Sequence, residues 1–236
     1  MILPQLMARF AKHGDDAVFY EMQALDAIAW MESKGVRFGV GTTVLDLGCG
    51  HGVFGGALLA KGCSVTFADE SNYLLPQFRD QPFRSVNLDR DTISGLGQFD
   101  LVVCSNVLEH LAKPRRLIDA APDLLTPTGC FYLSWTNWLS PWGGHEFSPW
   151  HYFGATLGPR VHDLFAKKPR FHKPYLNLFP TYIGGMLQYI RSQGKLAVAS
   201  IAPRYYTEFG WLMSVPVARE FLAWNCSLLL RKSNKP

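Results

Sequence analysis

The sequence predicts an α/β chain built on a parallel sheet with helices on both faces. Two observations carry this prediction. Short apolar runs alternate with helical segments between residues 43 and 135, and the first of these runs ends in a glycine-dense turn. The composition agrees, since 48% of the 236 residues are apolar and 18% are charged, which is typical of a globular protein.

The individual elements follow from local patterns. Apolar residues at three- and four-residue steps indicate helices, and Gly35 and Gly62 end two of them. The predicted helices cover residues 16–34, 53–61, 106–111, 115–125 and 180–193. Apolar, β-branched runs indicate strands over residues 43–47, 64–68, 84–88, 99–104, 129–135, 196–201 and 225–231.

The texture changes after residue 136, where Trp, Phe, His, Pro and Gly are frequent and no clean periodicity is present up to residue 175. We therefore predict one domain over residues 1–236 with an aromatic insertion after the fifth strand. Its parts are an N-terminal helical cap (1–40), a core (41–135), the insertion with a helix (136–195) and C-terminal strands (196–236).

Charge and cysteine content exclude several classes of protein. A net charge of +4, from 23 Lys and Arg against 19 Asp and Glu, argues against a dedicated nucleic-acid binder. The five cysteines are odd in number and show no metal-ligand spacing, so we expect reduced thiols without disulfides or structural zinc. No export signal and no apolar run near the ~20 residues of a membrane span is present. We expect a cytoplasmic protein, with contact at a membrane surface left open.

The glycine-dense turn is the most informative segment. Residues 44–52 read Val-Leu-Asp-Leu-Gly-Cys-Gly-His-Gly, so a strand runs into bare main chain on which a ligand can lie. Residues 50–55 also match the dinucleotide pattern G-x-G-x-x-G, which alone is a weak signal. Asp46 at the strand end would repel a diphosphate, whereas it favours a ligand that carries ammonium and sulfonium groups.

This D-x-G-x-G-x-G segment resembles the first motif of class I S-adenosylmethionine-dependent methyltransferases. Further landmarks arrive in the family's order, and residues 99–111 and 124–130 resemble the methyltransferase type 11 group. Residues 138–152 and 224–231 resemble a largely actinobacterial subgroup. The resemblance spans residues 43–135 and implies a Rossmann-like, seven-stranded, mostly parallel sheet whose last strand is antiparallel.

The resemblance also implies a set of cofactor-binding residues for S-adenosylmethionine and its product S-adenosylhomocysteine. Asp69 stands where the family places an acid for the ribose hydroxyls, and Asn87 where many relatives carry Asp beside adenine. Tyr20 would close over the cofactor as a lid, with core packing as the alternative. The complete set is Tyr20, Asp46, Gly48, Cys49, Gly50, Gly52, Asp69, Glu70, Ser71, Asn87, Leu88, Asp89, Ser105, Asn106 and His110.

Histidine suits the role of a general base for a hydroxyl acceptor, because its pKa lies near working pH. The candidate catalytic residues are His145, Glu146, His110 and His151. The alternatives are helix capping or packing for His110 and a buried structural ring for His151. We interpret His13, His162 and His172 as surface residues, and His51 as shaping the glycine turn.

Aromatic walls with a few polar groups are typical of small-molecule pockets. We expect the acceptor pocket to be lined by Trp135, Trp138, Trp142, Trp150 and Tyr152, with the N-terminal helix as its roof. A basic group either forms a solvated face or attracts an acidic substrate or anionic lipid. It comprises Arg160, Lys167, Lys168, Arg170, His172 and Lys173.

The sequence thus predicts a methyltransferase that acts on oxygen of a small-molecule, sugar or lipid-linked acceptor, with nitrogen and carbon acceptors open. The motifs of nucleic-acid methyltransferases are missing after the fourth strand, which reads Ser105-Asn106-Val107-Leu108. No trio of metal-binding acids is recognisable, so we expect no metal. Two rival hypotheses are a nicotinamide dehydrogenase, against which Asp46 argues, and a non-catalytic cofactor-binding subunit.

Overall fold

The computed structural model describes residues 1–166 and 169–233. The strands of this part of the chain are β1 (Thr43–Leu47), β2 (Ser64–Asp69), β3 (Phe83–Ser85), β4 (Phe99–Ser105), β5 (Leu125–Thr136), β6 (Leu196–Pro203) and β7 (Asn225–Lys232). They form one seven-stranded sheet in the order β3-β2-β1-β4-β5-β7-β6. β7 pairs antiparallel with both β5 and β6, whereas the pairings among β1 to β5 are parallel. The predicted fold class is confirmed.

The α-helices within the described residues are α1 (Leu3–His13), α2 (Ala17–Ser33), α3 (Val53–Ala60), α4 (Pro114–Ala120), α5 (Gly154–Phe165), α6 (Ile183–Gln193) and α7 (Pro216–Leu222). Short 3-10 helices lie between several of them, including Leu108–His110 and His145–Phe147. Asp16 caps α2 by accepting a hydrogen bond from the Phe19 amide at 2.9 Å.

Two apolar clusters cover the two faces of the sheet. One includes Leu45, Val102 and Phe131 with side chains of α4 and α6, and the other includes Val44, Val103 and Tyr132 with side chains of α2 and α3. Neighbouring residues of a strand fall in opposite clusters, because successive side chains of a strand point to opposite faces. The helices on both sides therefore hold the carboxyl ends of β1, β4 and β5 at one edge.

The structure contains helices that local patterns did not predict, namely α1, α5 and α7. In α5 the reason is its composition, since Gly154, Gly158 and Pro159 all have low helix propensity. Gly158 is needed because a Cβ there would lie 2.3 Å from the carbonyl oxygen of Trp150. Tertiary packing thus determines this helix.

Several predicted elements have different bounds, and the helix predicted over 115–125 ends at Ala120. β3 ends at Ser85 and not at Leu88, because the next residues turn, with the Asn87 amide donating to the Asp91 carboxylate at 2.8 Å. The predicted helix over 106–111 is only the short 3-10 helix Leu108–His110. β5 begins four residues before its predicted start, at Leu125.

None of the helices in the described residues is both long enough and apolar enough to span a membrane. Lys167 and Lys168 of the basic group lie outside the described residues.

Asp100 joins three strands at the opposite, amino edge of the sheet. Its carboxylate accepts hydrogen bonds from the amide and hydroxyl of Thr43 at 3.0 and 2.8 Å and from the Thr126 hydroxyl at 3.1 Å. These bonds, led by the Thr43 amide, hold the pKa of Asp100 below its ordinary value of 3.8. A carboxylate with a lowered folded-state pKa stabilises the fold above that ordinary value and loses its contribution as pH falls.

We expect Asp100→Asn to lower the free energy of unfolding by about 1–2 kcal/mol near neutral pH. The difference from wild type should shrink in acid, where Asp100 itself is protonated. Urea unfolding at several pH values measures both effects. Asp123→Asn, at an exposed position, is the matched control and should change little. An equal loss at all pH values would contradict the role of the charge.

Candidate functional site at the carboxyl edge of the sheet

The turn between β1 and α3 is shaped by three glycines with positive φ, at +68° for Gly48, +50° for Gly50 and +77° for Gly52. Two of them are close to other elements. A Cβ at position 48 would lie 2.4 Å from Val107 Cγ2, and one at position 52 would lie 2.6 Å from Leu74 Cδ2. A Cβ at Gly50 would instead meet no atom of the described chain within 4 Å. Gly50 therefore offers bare main chain to a ligand.

Asp46 lies at the end of β1 and is only 2% exposed. Its Oδ2 accepts a hydrogen bond from the Gly55 amide at 2.9 Å, so the carboxylate links β1 to the first turn of α3. Burial raises the pKa of Asp46 to about 7, with the Gly55 hydrogen bond lowering it and the charge of Asp69 raising it further. A positively charged ligand beside this carboxylate would favour its ionised form.

A second carboxylate lies next to the turn at the end of β2. Asp69 is half-buried and accepts hydrogen bonds from the amides of Gly50 at 2.8 Å and Glu70 at 2.7 Å. Glu70 is exposed and accepts from the Asn87 side-chain amide at 2.9 Å. Burial raises the pKa of the Cys49 thiol, and the charges of Asp46 and Asp69 raise it further. The turn therefore has a negative potential, and the structure brings these predicted residues together.

Other predicted cofactor residues have different surroundings. Both carboxylate oxygens of Asp89 accept main-chain hydrogen bonds, from Ala112 at 3.0 Å and Lys113 at 2.7 Å, so Asp89 fastens the loop after β4. Leu88 is 9% exposed and packs in the core, and Ser71 is exposed. Tyr20, on α2, is 38% exposed, and its hydroxyl donates to the carboxylate of Asp15, just before this helix, at 3.0 Å.

Ser105 and Asn106 end β4 in a polar network. Asn106, with φ of +57°, accepts from Arg204 at 2.7 Å and from the Asn225 amide at 2.9 Å, and donates to Gln23 at 3.1 Å. Arg204 also donates to Ser134 Oγ at 3.0 Å, and that hydroxyl lies 3.4 Å from Ser105 Oγ. The network ties α2 to the ends of β4, β5 and β6, and it fixes Asn106 beside the glycine turn.

Sequence patterns did not identify Gln23, Arg204 or Asn225 as site residues. Gln23 lies on a predicted helix, Arg204 follows β6, and Asn225 starts β7. Arg204 is only 2% exposed. No local signal distinguishes these side chains, because only the sheet topology brings their segments together.

Three histidines meet, one from the segment after β4 and two from the insertion. The His145 and His172 ring centroids are 4.3 Å apart, and His110 lies 5.5 and 5.3 Å from them. His110 Nδ1 is 2.7 Å from the Asn177 carbonyl oxygen, and His172 Nδ1 is 2.7 Å from Glu146 Oε2. His172 was expected on the surface. That expectation is wrong, because its side chain is 19% exposed and packs within this cluster.

The pKa values of His145 and of the neighbouring Glu146 are shifted in this cluster. Burial lowers the pKa of His145 to about 3, with the charges of His172 and His110 lowering it further, so the ring is neutral at neutral pH. Burial raises the pKa of Glu146, but hydrogen bonds from its own amide and from His172 outweigh this and hold it below its ordinary value. Gly143 and Gly144 allow the turn here, since a Cβ on either would collide with Trp138 or His151.

His151 does not join the other candidate bases. It is 0% exposed, its Nε2 donates to the Ser140 carbonyl at 3.0 Å, and its ring packs against Trp138 and Phe147. The predicted catalytic role is replaced by a structural one, because the ring has no access to a ligand.

The predicted aromatic pocket is divided in the structure. Trp135 and Trp138 are 0% and 4% exposed and belong to apolar clusters, so they do not line an open site. Trp142 is 41% exposed and makes an edge-to-face contact with Phe10 of α1 at 5.3 Å. Tyr152 is 46% exposed, and Trp150 stacks on Phe165 at 5.8 Å. Only the last three of the five predicted rings remain available to an acceptor.

Comparison with known proteins agrees with this architecture. Residues 45–131 match a family model described as a methyltransferase domain. Proteins named uncharacterized methyltransferase are similar in Mycobacteroides abscessus, with 31% identity over 90% of this chain and 86% of the relative, and in Mycobacterium tuberculosis, with 32% identity over 96% and 92%. A TehB-like S-adenosylmethionine-dependent methyltransferase structure from Corynebacterium glutamicum shares the fold, with a TM-score of 0.58, 18% identity and coverage of 98% and 96%.

The sheet order and the glycine turn define a class I methyltransferase architecture. At more than 30% identity over nearly its whole length, the chain belongs to the class I S-adenosylmethionine-dependent methyltransferases. This membership decides against the dehydrogenase and the non-catalytic subunit. The residues of the turn fit the methyl donor, because Gly50 leaves room at the main chain, the carboxylate of Asp46 suits its positive charges, and that of Asp69 can accept from its ribose hydroxyls.

We expect the raised pKa of Asp46 to make donor binding depend on pH. Below about pH 7 the free protein holds Asp46 protonated, so S-adenosylmethionine should bind more tightly as pH rises through 7. Asp46→Asn should weaken binding about tenfold at pH 8 and remove this part of the pH dependence. Isothermal titration calorimetry across the pH range measures both, with Asp123→Asn as control.

The same variant separates binding from folding. A carboxyl group whose folded pKa is raised destabilises the fold as pH rises from its ordinary 3.8 toward 7. Asp46→Asn should therefore unfold no more easily than wild type at pH 8 in a thermal melt. Unchanged donor affinity in a folded variant would contradict the assignment of Asp46.

Proposed function

We propose that the protein transfers the methyl group of S-adenosylmethionine to a hydroxyl or carboxyl oxygen of a small or lipid-linked acceptor. The observation that carries this proposal is the histidine cluster beside the glycine turn. The amide of His110 donates to the carbonyl of Val107 at 2.9 Å, and Val107 packs on Gly48. One short segment thus connects the donor turn to the three imidazoles.

Within the cluster, His110 is the best placed proton acceptor. The Asn177 carbonyl can only accept a hydrogen bond, so His110 carries its proton on Nδ1 and has a free lone pair on Nε2. His145, with its pKa lowered to about 3, is a poor proton acceptor at neutral pH. Glu146 holds His172 in place and is a positioning residue.

The reaction is an in-line displacement at the methyl carbon. When bound, S-adenosylmethionine supplies the methyl group and leaves as S-adenosylhomocysteine. The acceptor oxygen forms the new bond to carbon and the bond from carbon to sulfur breaks. The proton of a hydroxyl acceptor passes to His110 Nε2, whereas a carboxylate acceptor has no proton to lose. The protein contributes mainly by holding the two reactants in line, which supplies much of the rate.

Incubation with methyl-labelled S-adenosylmethionine and extracts from an actinobacterium tests this function. We expect label in a methyl ether or a methyl ester, with the ester label released by mild alkali. If the acceptor is a hydroxyl, His110→Asn should lower kcat about 100-fold or more. His13→Asn, at an exposed position on α1, is the control. Label on nitrogen or carbon, or full activity of His110→Asn on a hydroxyl acceptor, would overturn the proposal.

Helix α5 favours an acceptor presented at a lipid surface. Leu157 and Leu164 are 52% and 79% exposed, and their spacing of seven residues places them on one face of this helix, while Phe153, 58% exposed, directly precedes it. Phe165 and the exposed Arg160 extend the same region. Apolar side chains beside basic ones are typical of helices that lie on anionic membranes.

We expect the protein to sediment with vesicles containing phosphatidylglycerol and less with neutral vesicles. Leu164→Glu should reduce the bound fraction several-fold, since it removes apolar contact and adds a negative charge. Val40→Glu is the matched control, because Val40 is 97% exposed just before β1, at the amino edge of the sheet. Equal binding of both variants would contradict the role of α5, and a small acceptor in solution would then remain as the proposed substrate.

A further inference from the structure

The three clustered histidines come from separate parts of the chain. His110 ends the 3-10 helix after β4, His145 starts the 3-10 helix after β5, and His172 lies between α5 and α6. One ring nitrogen from each residue lies within 4.8 Å of the other two. The fold therefore places three nitrogen donors around one point.

Hydrogen bonds outside the cluster orient two of these rings. His110 Nδ1 donates to the Asn177 carbonyl and His172 Nδ1 donates to the Glu146 carboxylate, both at 2.7 Å. Neither acceptor can donate, so each neutral ring has its free lone pair on Nε2. A histidine with one nitrogen bonded to a carbonyl or carboxylate and the other free has the arrangement found in metal sites.

The third ring has a buried nitrogen without a hydrogen-bond partner in the described part of the chain. His145 Nδ1 is buried and has no hydrogen-bond partner among residues 1–166 and 169–233. Its residue is held with a φ of +50°, an uncommon conformation outside glycine. Buried polar atoms are normally paired, so this orphan calls for an explanation. A cation bound within the cluster supplies one.

We propose that His110, His145 and His172 bind a divalent transition-metal ion of the Zn²⁺ type. Imidazole nitrogens suit zinc, and three protein ligands leave a fourth position for water or substrate. Bonds of 2.0–2.1 Å would set the nitrogens about 3.3 Å apart in a tetrahedron, so the present spacing, within 4.8 Å, would shorten when an ion binds. Asn177 and Glu146 form the surrounding hydrogen-bonded shell.

This site goes beyond the proposed methyl transfer, and it uses the same lone pair of His110 Nε2, so His110 could not take up a proton while an ion is bound. No sequence pattern indicates this site, because the three histidines are far apart along the chain and have no ligand spacing. The fourth coordination position of the ion would be open to the acceptor. An ion there would polarise an oxygen or nitrogen group of the acceptor.

Metal binding is tested directly on the full-length, untagged protein. After treatment with a chelator, titration with Co²⁺ should produce visible absorption bands of a four-coordinate ion, and Zn²⁺ should displace it. We expect one Zn²⁺ per chain with a Kd of about 1 μM or below. Binding only at millimolar Zn²⁺, or no displaceable Co²⁺ spectrum, would overturn the proposal.

Variants assign the ligands. His172→Asn and His110→Asn should each weaken Zn²⁺ binding at least about 100-fold, and Glu146→Gln about 10–100-fold through the orientation of His172. His162→Asn is the matched control, because His162 also pairs with a neighbouring carboxylate, Asp163 at 3.1 Å, outside the cluster. Equal Zn²⁺ affinity in the cluster variants and the control would also overturn the proposal.

Two further measurements keep the test decisive. Thermal unfolding reports whether each variant is folded, and Glu146→Gln, at a side chain 41% exposed, leaves the three imidazoles intact if a ligand variant misfolds. If the wild-type protein binds Zn²⁺ but transfers no methyl group, the proposed reaction alone is refuted. Methyl transfer without any Zn²⁺ binding would refute the metal site alone.

Discussion

The close approach of Gly48 to Val107 is the contact on which the rest of the site depends. A Cβ at position 48 would lie only 2.4 Å from Val107 Cγ2, so no other residue fits there unless the Val107 side chain shifts. The loop that holds Val107 carries Asn106 on one side of it and His110 on the other. The glycine therefore does more than turn the chain toward α3. It lets the loop that carries Asn106 and His110 pack directly against the turn after β1.

The donor half of the site could be predicted from sequence because its determinants are local. Asp46, three glycines and Asp69 each stand at a strand end or in the following turn, and parallel strands bring such positions to one edge. The structure adds what spacing does not contain, namely that Asp46 is buried and bonded to the Gly55 amide. Burial without a cationic partner raises its pKa, so the free protein is least stable in the ionised form that suits the donor. This is the expected character of a binding site, as opposed to a structural ion pair.

The surroundings of the residues expected near the acceptor were predicted less well, because the type of a residue does not reveal which groups its side chain contacts in the fold. His151 and Trp135 have the chemistry of pocket residues, yet both are fully buried. Asp89 has the chemistry of an adenine ligand, yet it fastens the main chain at residues 112 and 113. His172 resembled a surface histidine in a basic stretch, and only the path of the chain between α5 and α6 brings it to Glu146. The aromatic insertion lacks periodicity, so no local pattern indicates which of its side chains face inward.

The histidine cluster places a chemical constraint on the reaction. A neutral imidazole has one free lone pair, which either accepts a proton or binds a cation. If His110 Nε2 binds a metal ion, it cannot take the proton of an acceptor hydroxyl. The metal would then lower the pKa of a bound hydroxyl, and the proton would leave to solvent before methyl transfer. Glu146 has the same task in both cases, because its hydrogen bond to His172 Nδ1 fixes the direction of the opposite nitrogen. Replacement of Zn²⁺ by Co²⁺ distinguishes the two cases. If the ion acts on the acceptor, the replacement shifts the pH dependence of kcat, whereas a histidine base that binds no metal leaves it unchanged.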